Sequence, residues 1–307
     1  MISLRARLVR FMSKQYFKRI TPDTDVAELR NAWDELALKL KIAPGVRRRE
    51  ATIGDIACEW LVPDGCDDAP ALLYLHGGIY LLGSANTHRR LVSFIARAAR
   101  MRALIPNYRL APEHPFPAAI EDATLIYRKL LEQGIPESRI AIAGDSAGGG
   151  LTMATLLSLK NTGDPLPAAA VLLSPWLDLA AQGETLKTRA DLDPWFDPDN
   201  MPEMVRRYCG NRDPKAPLIS PLYGDLSGLP PLLIQVGDHE ILLSDSTRMA
   251  DRVSEAGGKV TLQVWPEMWH VFQYFIGQMP ESAKAIADIG SFLRKAIVEP
   301  KSGSDHG

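Results

Sequence analysis

The sequence predicts an α/β protein whose mostly parallel sheet is covered by helices on both faces. From about residue 47 onward, short apolar runs alternate with segments of helical length, and this alternation is typical of strands joined by crossover helices. The chain has 307 residues, of which 46% are hydrophobic. It can therefore bury one large core or two smaller ones.

Charge and cysteine content exclude several classes of protein. The 35 basic and 37 acidic side chains give a net charge of −2, so we expect no nucleic-acid partner, which would need a basic excess. Cys58, Cys66 and Cys209 are too few for a disulfide framework and form no Cys-x-x-Cys pair for a metal. They fit a reducing compartment, and we expect a cytoplasmic protein. No apolar run predicts a secretory signal or stable membrane insertion.

Residues 1–45 are predicted to form two helices. Leu4, Leu8, Met12 and Tyr16 recur at every fourth position, which places them on one face of a helix, and a second helix is predicted over Val26–Leu40. The basic side chains around the first stripe are Arg5, Arg7, Arg10, Lys14, Lys18 and Arg19. A basic amphipathic helix can bind a lipid surface, but packing of this helix on the main body is the favoured interpretation.

The alternating region contains seven candidate strands and five candidate helices. The strands are Cys58–Val62, Ala71–Leu75, Ala103–Pro106, Ile140–Ala143, Ala168–Leu173, Leu232–Val236 and Val260–Val264. The helices are His88–Arg100, Ala118–Gln133, Gly148–Leu159, Asp245–Ala256 and Ser282–Ile297. Residues 180–220, rich in Pro and Asp, are interpreted as an insertion above the sheet, and residues 299–307 as a disordered tail.

The strongest chemical signal is Gly144-Asp145-Ser146-Ala147-Gly148, which follows a predicted strand and precedes a predicted helix. This is the context of a nucleophile elbow, a sharp turn that exposes a serine at the carboxyl end of a strand. Ser146 is thus a candidate nucleophile, and the amide of Ala147 a candidate oxyanion donor. A chance Gly-Ser-Gly turn is the alternative, which the strand–turn–helix context disfavours.

A second signal, His76-Gly77-Gly78-Ile79-Tyr80, directly follows the predicted strand Ala71–Leu75. A glycine-rich loop at this place can turn its backbone N–H groups toward a carbonyl oxygen. Taken alone, the pair of glycines would indicate an ordinary turn. Together with the elbow further along the chain, it predicts an oxyanion loop.

A histidine and an acid complete the chain order Ser…acid…His. His270 follows the last predicted strand, where it can reach a nucleophile at the carboxyl edge of the sheet. The acid lies in the block Gly237–Asp245, which holds three candidates. Asp245 stands where a helix begins and is predicted to cap it. The local pattern does not separate Asp238 from Glu240.

With these motifs, the sequence resembles the hormone-sensitive-lipase family of α/β-hydrolases, the bacterial-type carboxylesterases. The resemblance spans about residues 45–295 and rests on His76-Gly77-Gly78, the segment YRLAPEHPFPA at 108–118, the elbow, Ser174-Pro175-Trp176, the Gly237–Asp245 block and His270. It implies an α/β-hydrolase fold with about eight strands. It also implies a catalytic domain over 46–298 and a helical cap formed by residues 1–45 and about 180–220.

The resemblance also implies the roles of the site residues. The family's nucleophile and base fall on Ser146 and His270, and a gap-free count back from His270 places the acid at Glu240, where most relatives have Asp; Asp238 is the reserve. The implied oxyanion donors are the amides of Gly78, Ile79 and Ala147. The implied supporting residues are His76, Gly77 and Asp145. Ile79 replaces a third glycine, which narrows the pocket near the acyl carbonyl.

The implied activity is hydrolysis of short-chain carboxylic esters through an acyl-enzyme, with no cofactor and no metal. A lactone or amide hydrolase with the same triad is an alternative. A non-catalytic ligand-binding member of the fold is disfavoured because the triad is complete. The expected partner is a small-molecule ester, and a homodimer is left open.

Two further sets of residues have open interpretations. Glu113 and His114 suggest a metal or acid–base site, but the prolines around them favour a rigid turn. Five side chains of the insertion either line the pocket or pack the cap, and the sequence does not rank the two: Trp195, Phe196, Met201, Met204 and Tyr208.

Overall fold

A computed structural model describes residues 2–17 and 25–297 of the chain. The helices are α1 (Leu4–Phe17), α2 (Val26–Leu38), α3 (Ala85–Ala99), α4 (Ala118–Glu132), α5 (Ala147–Thr162), α6 (Thr185–Thr188), α7 (Met201–Cys209), α8 (Leu243–Glu255) and α9 (Pro280–Ala296). Lys18, Arg19 and the tail predicted for 299–307 lie outside the described residues.

The described residues form one sheet of eight strands in the order β1-β2-β4-β3-β5-β6-β7-β8. The strands are β1 (Val46–Ile53), β2 (Ile56–Pro63), β3 (Ala71–Leu75), β4 (Arg102–Pro106), β5 (Ile140–Asp145), β6 (Ala169–Leu173), β7 (Leu232–Gly237) and β8 (Val260–Trp265). β2 pairs antiparallel with β1 and β4, and the pairs from β4 to β8 are parallel. The predicted, mostly parallel sheet of about eight strands is confirmed.

The candidate strands of the sequence missed β1. Only its end residues, Val46 and Ile53, are buried, and the polar run between them is largely exposed. A strand recognised by an apolar run must be buried on at least one face, and this edge strand of the sheet is not.

Side chains alternate between the two faces of the sheet, as the period of a strand requires. Leu73 and Leu75 enter the larger cluster, which packs on α4, α5 and α8. Leu72 and Tyr74 enter the other cluster, which packs on α3 and α9. The central strands are therefore buried on both faces, which is typical of a parallel sheet.

Parallel strands bring their carboxyl ends to one edge, and four of these ends carry the candidate site. β3 leads into His76, β5 into Ser146, β7 into the loop of Glu240 and β8 into the loop of His270. Residues far apart in sequence thus converge at the edge where open α/β sheets bind their ligands.

Helix α1 packs on the body, but not through the predicted stripe. Ala6 and Val9 are buried, whereas the side chains of Leu4, Leu8 and Met12 are 81%, 61% and 62% exposed. The side chain of Tyr16, the fourth member of that stripe, lies outside the described residues. The repeat of four identified a helix correctly, but the buried face is the opposite one.

Helix α2 is tied to the turn that holds Glu113. Arg30 forms an ion pair of 2.9 Å with Glu113 and donates hydrogen bonds to the carbonyls of Leu81 (2.7 Å) and Ala111 (2.8 Å). Glu113 is thus engaged in a surface ion pair, in agreement with the rigid-turn interpretation. Leu81 follows the glycine-rich loop, so this arginine joins α2 to that loop.

Candidate active site

Ser146 stands in a strained turn between β5 and α5. Its φ is +54° and its ψ is −125°, a conformation that L-residues adopt only when the surroundings impose it. A Cβ on Gly144 would lie 2.2 Å from the carbonyl oxygen of Gly148, and one on Gly148 would lie 2.0 Å from that of Leu75. Both glycines are therefore required by the close approach of backbone, and the motif forms a nucleophile elbow.

His270 pairs with Glu240 and not with Asp238. Nδ1 of His270 lies 2.9 Å from Oε2 of Glu240, and both side chains are buried. The other oxygen of Glu240 accepts a hydrogen bond of 2.6 Å from the amide of Gly237. Asp238 instead accepts from the amide of Glu267 at 2.6 Å and is partly exposed. If Nδ1–H donates to Glu240, the lone pair is on Nε2, as a general base requires.

Ser174 contacts Glu240, which the sequence did not indicate. Its hydroxyl donates a hydrogen bond of 2.8 Å to Oε1 of Glu240 and accepts one of 3.0 Å from the amide of Val271. The residue is fully buried and has a φ of +44°. It belongs to the Ser-Pro-Trp motif used for the family resemblance, but nothing in that motif indicates its partner.

Asp193 is a second residue that the sequence did not reveal. Its carboxylate is buried and accepts three backbone amides, those of Trp195 (2.8 Å), Phe196 (3.1 Å) and Ile241 (2.9 Å). Burial raises the pKa of Asp193 to about 6, although the charge of His270 opposes the shift. Asp193 thus fixes the insertion to the loop that carries Glu240. The local turn was readable from the sequence, but the contact with Ile241 was not.

The rings of Trp195 and Phe196 lie edge-on to the imidazole of His270. The ring centroids are 5.7 Å and 4.7 Å from that of His270, at interplanar angles of 64° and 81°. These aromatic contacts limit the rotation of the imidazole and shield it from bulk water.

The glycine-rich loop has three consecutive residues with positive φ. The φ values are 121° at Gly78, 54° at Ile79 and 61° at Tyr80. Ile79 therefore carries strain where a third glycine would not. Within the described residues, the amides of Gly78 and Ile79 donate no hydrogen bond, and Ala147, the first residue of α5, has no acceptor within its helix. These three amides are available to an oxyanion.

Asp145 braces the glycine-rich loop from below. Its carboxylate accepts hydrogen bonds from the hydroxyl of Tyr74 (2.8 Å) and the amide of Gly77 (3.1 Å), and it contacts Nε2 of His88 at 3.3 Å. Burial opposes its charge, but His88 and these hydrogen bonds hold the pKa of Asp145 below its ordinary value. Asp145 therefore supports the loop rather than the reacting atoms.

His76 is stacked inside the protein and does not line the cavity. Its ring lies 4.2 Å from that of Tyr108 and 5.4 Å from that of His88, and Nδ1 is 2.9 Å from the carbonyl of Gly77. Burial, together with His88, lowers the pKa of His76 to about 3, so its ring is neutral. This arrangement fits the bracing role expected of it.

The prediction that Asp245 caps a helix is wrong. Helix α8 begins two residues before it, and the capping position, Leu242, has no side-chain hydrogen bond. The carboxylate of Asp245 instead accepts the amides of Leu177 (2.9 Å) and Asp178 (3.0 Å) and pairs with Arg248 at 3.1 Å. Leu177 and Asp178 lie in another loop, about 67 positions earlier in the chain, and no local capping pattern can indicate such a contact.

Two cavities meet at Ser146. The larger has a volume of about 450 Å³, and its largely apolar lining includes His270, Trp195 and Phe196. The smaller has about 10 Å³ and is lined by Ile79, Ser146, Trp176, Phe196, Met201, Met204, Ile241 and Leu242. Tyr208 lines neither, because its ring stacks on that of Tyr80 at 3.8 Å. Four of the five insertion side chains therefore line the site, and one packs the cap.

Neither metal chemistry nor a membrane span is indicated by the described parts of the chain. In residues 2–17 and 25–297, no group of three or more His, Cys, Asp or Glu side chains is placed to hold a metal ion. None of the helices described is long and apolar enough to cross a membrane.

Comparisons with known proteins identify the family. A family model described as the alpha/beta hydrolase fold matches residues 72–274. A solved structure of an esterase from the bacterial hormone-sensitive lipase family superposes with a TM-score of 0.92 at 43% identity, covering 97% of this chain and 100% of that one. The chain belongs to the hormone-sensitive-lipase family of α/β-hydrolases. It is a carboxylic ester hydrolase of that family.

Curated relatives within the hormone-sensitive-lipase family agree. An acetyl-hydrolase of Streptomyces hygroscopicus is 48% identical over 248 residues, which are 81% of this chain and 83% of the relative. An esterase of Acinetobacter venetianus is 40% identical over 222 residues, which are 72% of this chain and 73% of the relative. The names of both proteins describe ester or acetyl hydrolysis.

Proposed function

We propose that the protein is a serine carboxylesterase that prefers esters of short acids. The observation that carries the proposal is the buried pair of His270 and Glu240, whose imidazole shares one cavity with the strained Ser146. An oriented imidazole beside a serine at an elbow is the arrangement of a nucleophile and its general base.

The reaction proceeds in two halves. Oγ of Ser146 attacks the ester carbonyl carbon while Nε2 of His270 takes the hydroxyl proton, and Glu240 stabilises the imidazolium. The amides of Gly78, Ile79 and Ala147 hold the developing oxyanion. His270 then protonates the leaving alkoxide, and the acyl group remains on Ser146. Water, deprotonated by His270, releases the acid and restores the serine.

The two cavities divide the substrate. The leaving oxygen must receive a proton from His270, so the alcohol part belongs in the larger cavity, which His270 lines. The acyl part then faces the smaller cavity, which His270 does not line. A cavity of about 10 Å³ has room for about one water-sized group. An acetyl methyl fits this space, and the name of the acetyl-hydrolase of Streptomyces hygroscopicus supports that substrate.

A series of p-nitrophenyl esters from acetyl to palmitoyl tests the function. We expect fast turnover of the acetyl ester, a steep fall beyond butyryl, and loss of turnover in Ser146→Ala by about 10⁴-fold or more. Glu240→Gln is expected to lose about 10²-fold or more, while the matched variant Asp238→Asn keeps near-normal activity. Turnover unaffected by Ser146→Ala would contradict the proposal. Turnover of lactones or amides but of no ester would redirect it to those bonds.

A further inference from the structure

Helix α1 presents an apolar ridge to solvent, formed by Leu4, Leu8, Phe11 and Met12. Their side chains are 61–81% exposed, although three or four apolar side chains in a row on one helix face are normally buried. The helix is nevertheless docked on the protein, because its opposite face is packed through Ala6 and Val9. The ridge is an unpartnered apolar surface in the described structure.

Polar contacts just before the first residue of α1 and near its middle fix the orientation of the helix. The backbone amide and the hydroxyl of Ser3 donate to the carboxylate of Glu281 at 2.7 and 3.0 Å. Further along the helix, Arg10 donates to the carbonyl of Leu192 at 2.7 Å. A rotation that buried the ridge would break these contacts and expose Ala6 and Val9. The ridge therefore stays outward while the helix remains docked.

All charged side chains of α1 are basic. The helix carries Arg5, Arg7, Arg10 and Lys14 and no acidic residue, whereas the whole chain has a net charge of −2. Arg5 and Arg7 are exposed beside the ridge. Apolar side chains flanked by arginines are typical of helices that lie in the plane of a lipid interface.

The ridge continues into the rim of the larger cavity. Met12, its last member, lines that cavity together with Leu36 of α2, which is 50% exposed. Lys39 and Lys41, just after α2, are exposed as well. A surface bound to the ridge would thus adjoin the entrance through which an apolar ester reaches Ser146.

We propose that the α1 ridge docks the enzyme on an anionic lipid surface. Leu4, Leu8 and Phe11 enter the boundary between headgroups and acyl chains, and Arg5 and Arg7 pair with lipid phosphates. A second copy of the chain fits less well, because a symmetric contact through α1 would bring the arginines of both copies together. Binding is peripheral and reversible, and it is independent of ester hydrolysis.

Vesicle binding by the full-length chain tests the proposal. Cosedimentation with phosphatidylglycerol vesicles and with phosphatidylcholine vesicles is measured at 50 and 300 mM salt. All binding is measured with the Ser146→Ala variant, so that the result does not depend on whether the proposed catalysis is correct. We expect binding to the anionic vesicles that weakens with salt, and little binding to the neutral ones. No binding to anionic vesicles, or equal binding to both, would overturn the proposal.

Two variants of the Ser146→Ala protein separate the apolar and basic contributions. Leu8→Ser/Phe11→Ser should weaken binding by more than about tenfold, since both side chains are lost from the interface. Arg5→Ser/Arg7→Ser should weaken it by about thirtyfold and reduce its salt dependence. The matched control is Leu125→Ser, whose leucine is 38% exposed on α4, and it should bind normally. Equal binding by all variants would contradict the assigned surface.

Two further measurements test whether the variants fold and whether the ridge binds a second copy of the chain. With Ser146 intact, both surface variants should hydrolyse soluble p-nitrophenyl acetate at the normal rate, which shows that they fold. Light scattering over a range of concentrations should give the same mass for wild type and Leu8→Ser/Phe11→Ser. A concentration-dependent dimer that only the wild type forms would assign the ridge to a second copy instead.

Discussion

Ser174 connects the carboxylate of Glu240 to the backbone segment that carries His270. Its hydroxyl donates to Glu240 at 2.8 Å and accepts from the amide of Val271, the residue after His270, at 3.0 Å. One buried side chain therefore sets both the carboxylate and the backbone from which the imidazole projects. Its place in the Ser-Pro-Trp motif is explained by this bridge.

The first prediction concerns this bridge. Ser174→Ala should lower kcat on p-nitrophenyl acetate by about tenfold, because a hydrogen bond to a charged group contributes about 1.5–3 kcal/mol. The KM should change little, because Ser174 does not contact the substrate. The matched control is Ser246→Ala, since Ser246 is also buried and its hydroxyl has no partner among the described residues. A loss of the same size in both variants would reduce the effect to general packing.

The second prediction follows from the raised pKa of Asp193, to about 6, which burial causes. An unfolded Asp has a pKa of about 3.9, so between these values the folded state binds more protons. The stability that Asp193 contributes is complete below about pH 4 and is lost as the pH rises through about 6, by about 1.4 kcal/mol per pH unit within that window.

Urea unfolding from pH 4 to 8 checks the sign and the size. Relative to Asp193→Asn, the wild type should lose about 2–3 kcal/mol of unfolding free energy between pH 4 and 7. Asp55→Asn, at an exposed position, should follow the wild-type curve. Parallel curves for wild type and Asp193→Asn would show that the carboxyl does not titrate in this range.

The third prediction concerns the length of the acyl chain. Met204→Ala removes a side chain from the lining of the small cavity and should shift the preferred ester from acetyl toward butyryl or hexanoyl. The ratio of kcat/KM for hexanoyl over acetyl should rise by about tenfold or more, since a methylene accommodated in an apolar pocket is worth about 1–3 kcal/mol. Val205→Ala, on the same helix but outside that lining, should leave the ratio unchanged. An unchanged ratio in Met204→Ala would place the acyl chain elsewhere.

The fourth prediction concerns the elbow. In Gly148→Ala, the new Cβ would lie 2.0 Å from the carbonyl oxygen of Leu75, so the strand and helix must separate. We expect loss of activity and a destabilisation of about 3 kcal/mol or more, beyond the usual range for a single substitution. Gly65→Ala has a φ of +72° and no atom within 4 Å of the new Cβ, and should cost only about 1–2 kcal/mol. Thermal unfolding of both variants measures the difference.

Local constraints made part of this structure predictable from sequence. The elbow depends on two glycines within five residues of each other, and the strand and helix beside it have clear periodicity. The same locality made the carboxyl-edge positions of Ser146 and His270 readable. These features need no knowledge of a distant partner.

Other features depend on contacts between distant parts of the chain. Asp238 and Glu240 differ in which way their side chains point, which is decided by backbone that the pattern does not show. Ser174 meets Glu240 across 66 positions and Asp193 meets Ile241 across 48. The face of α1 that packs, and the mostly exposed strand β1, are likewise set by what each element lies against.

Arg30 makes the N-terminal helices and the hydrolase core depend on each other. This side chain of α2 donates hydrogen bonds to the carbonyls of Leu81 and Ala111, and Leu81 lies three positions after Gly78, whose amide belongs to the proposed oxyanion hole. The N-terminal helices and the hydrolase core are therefore not interchangeable parts. N-terminal helices transplanted from a relative would need an equivalent donor at this position, and a chain shortened to the core would lose the contact that holds the segment after the glycine-rich loop.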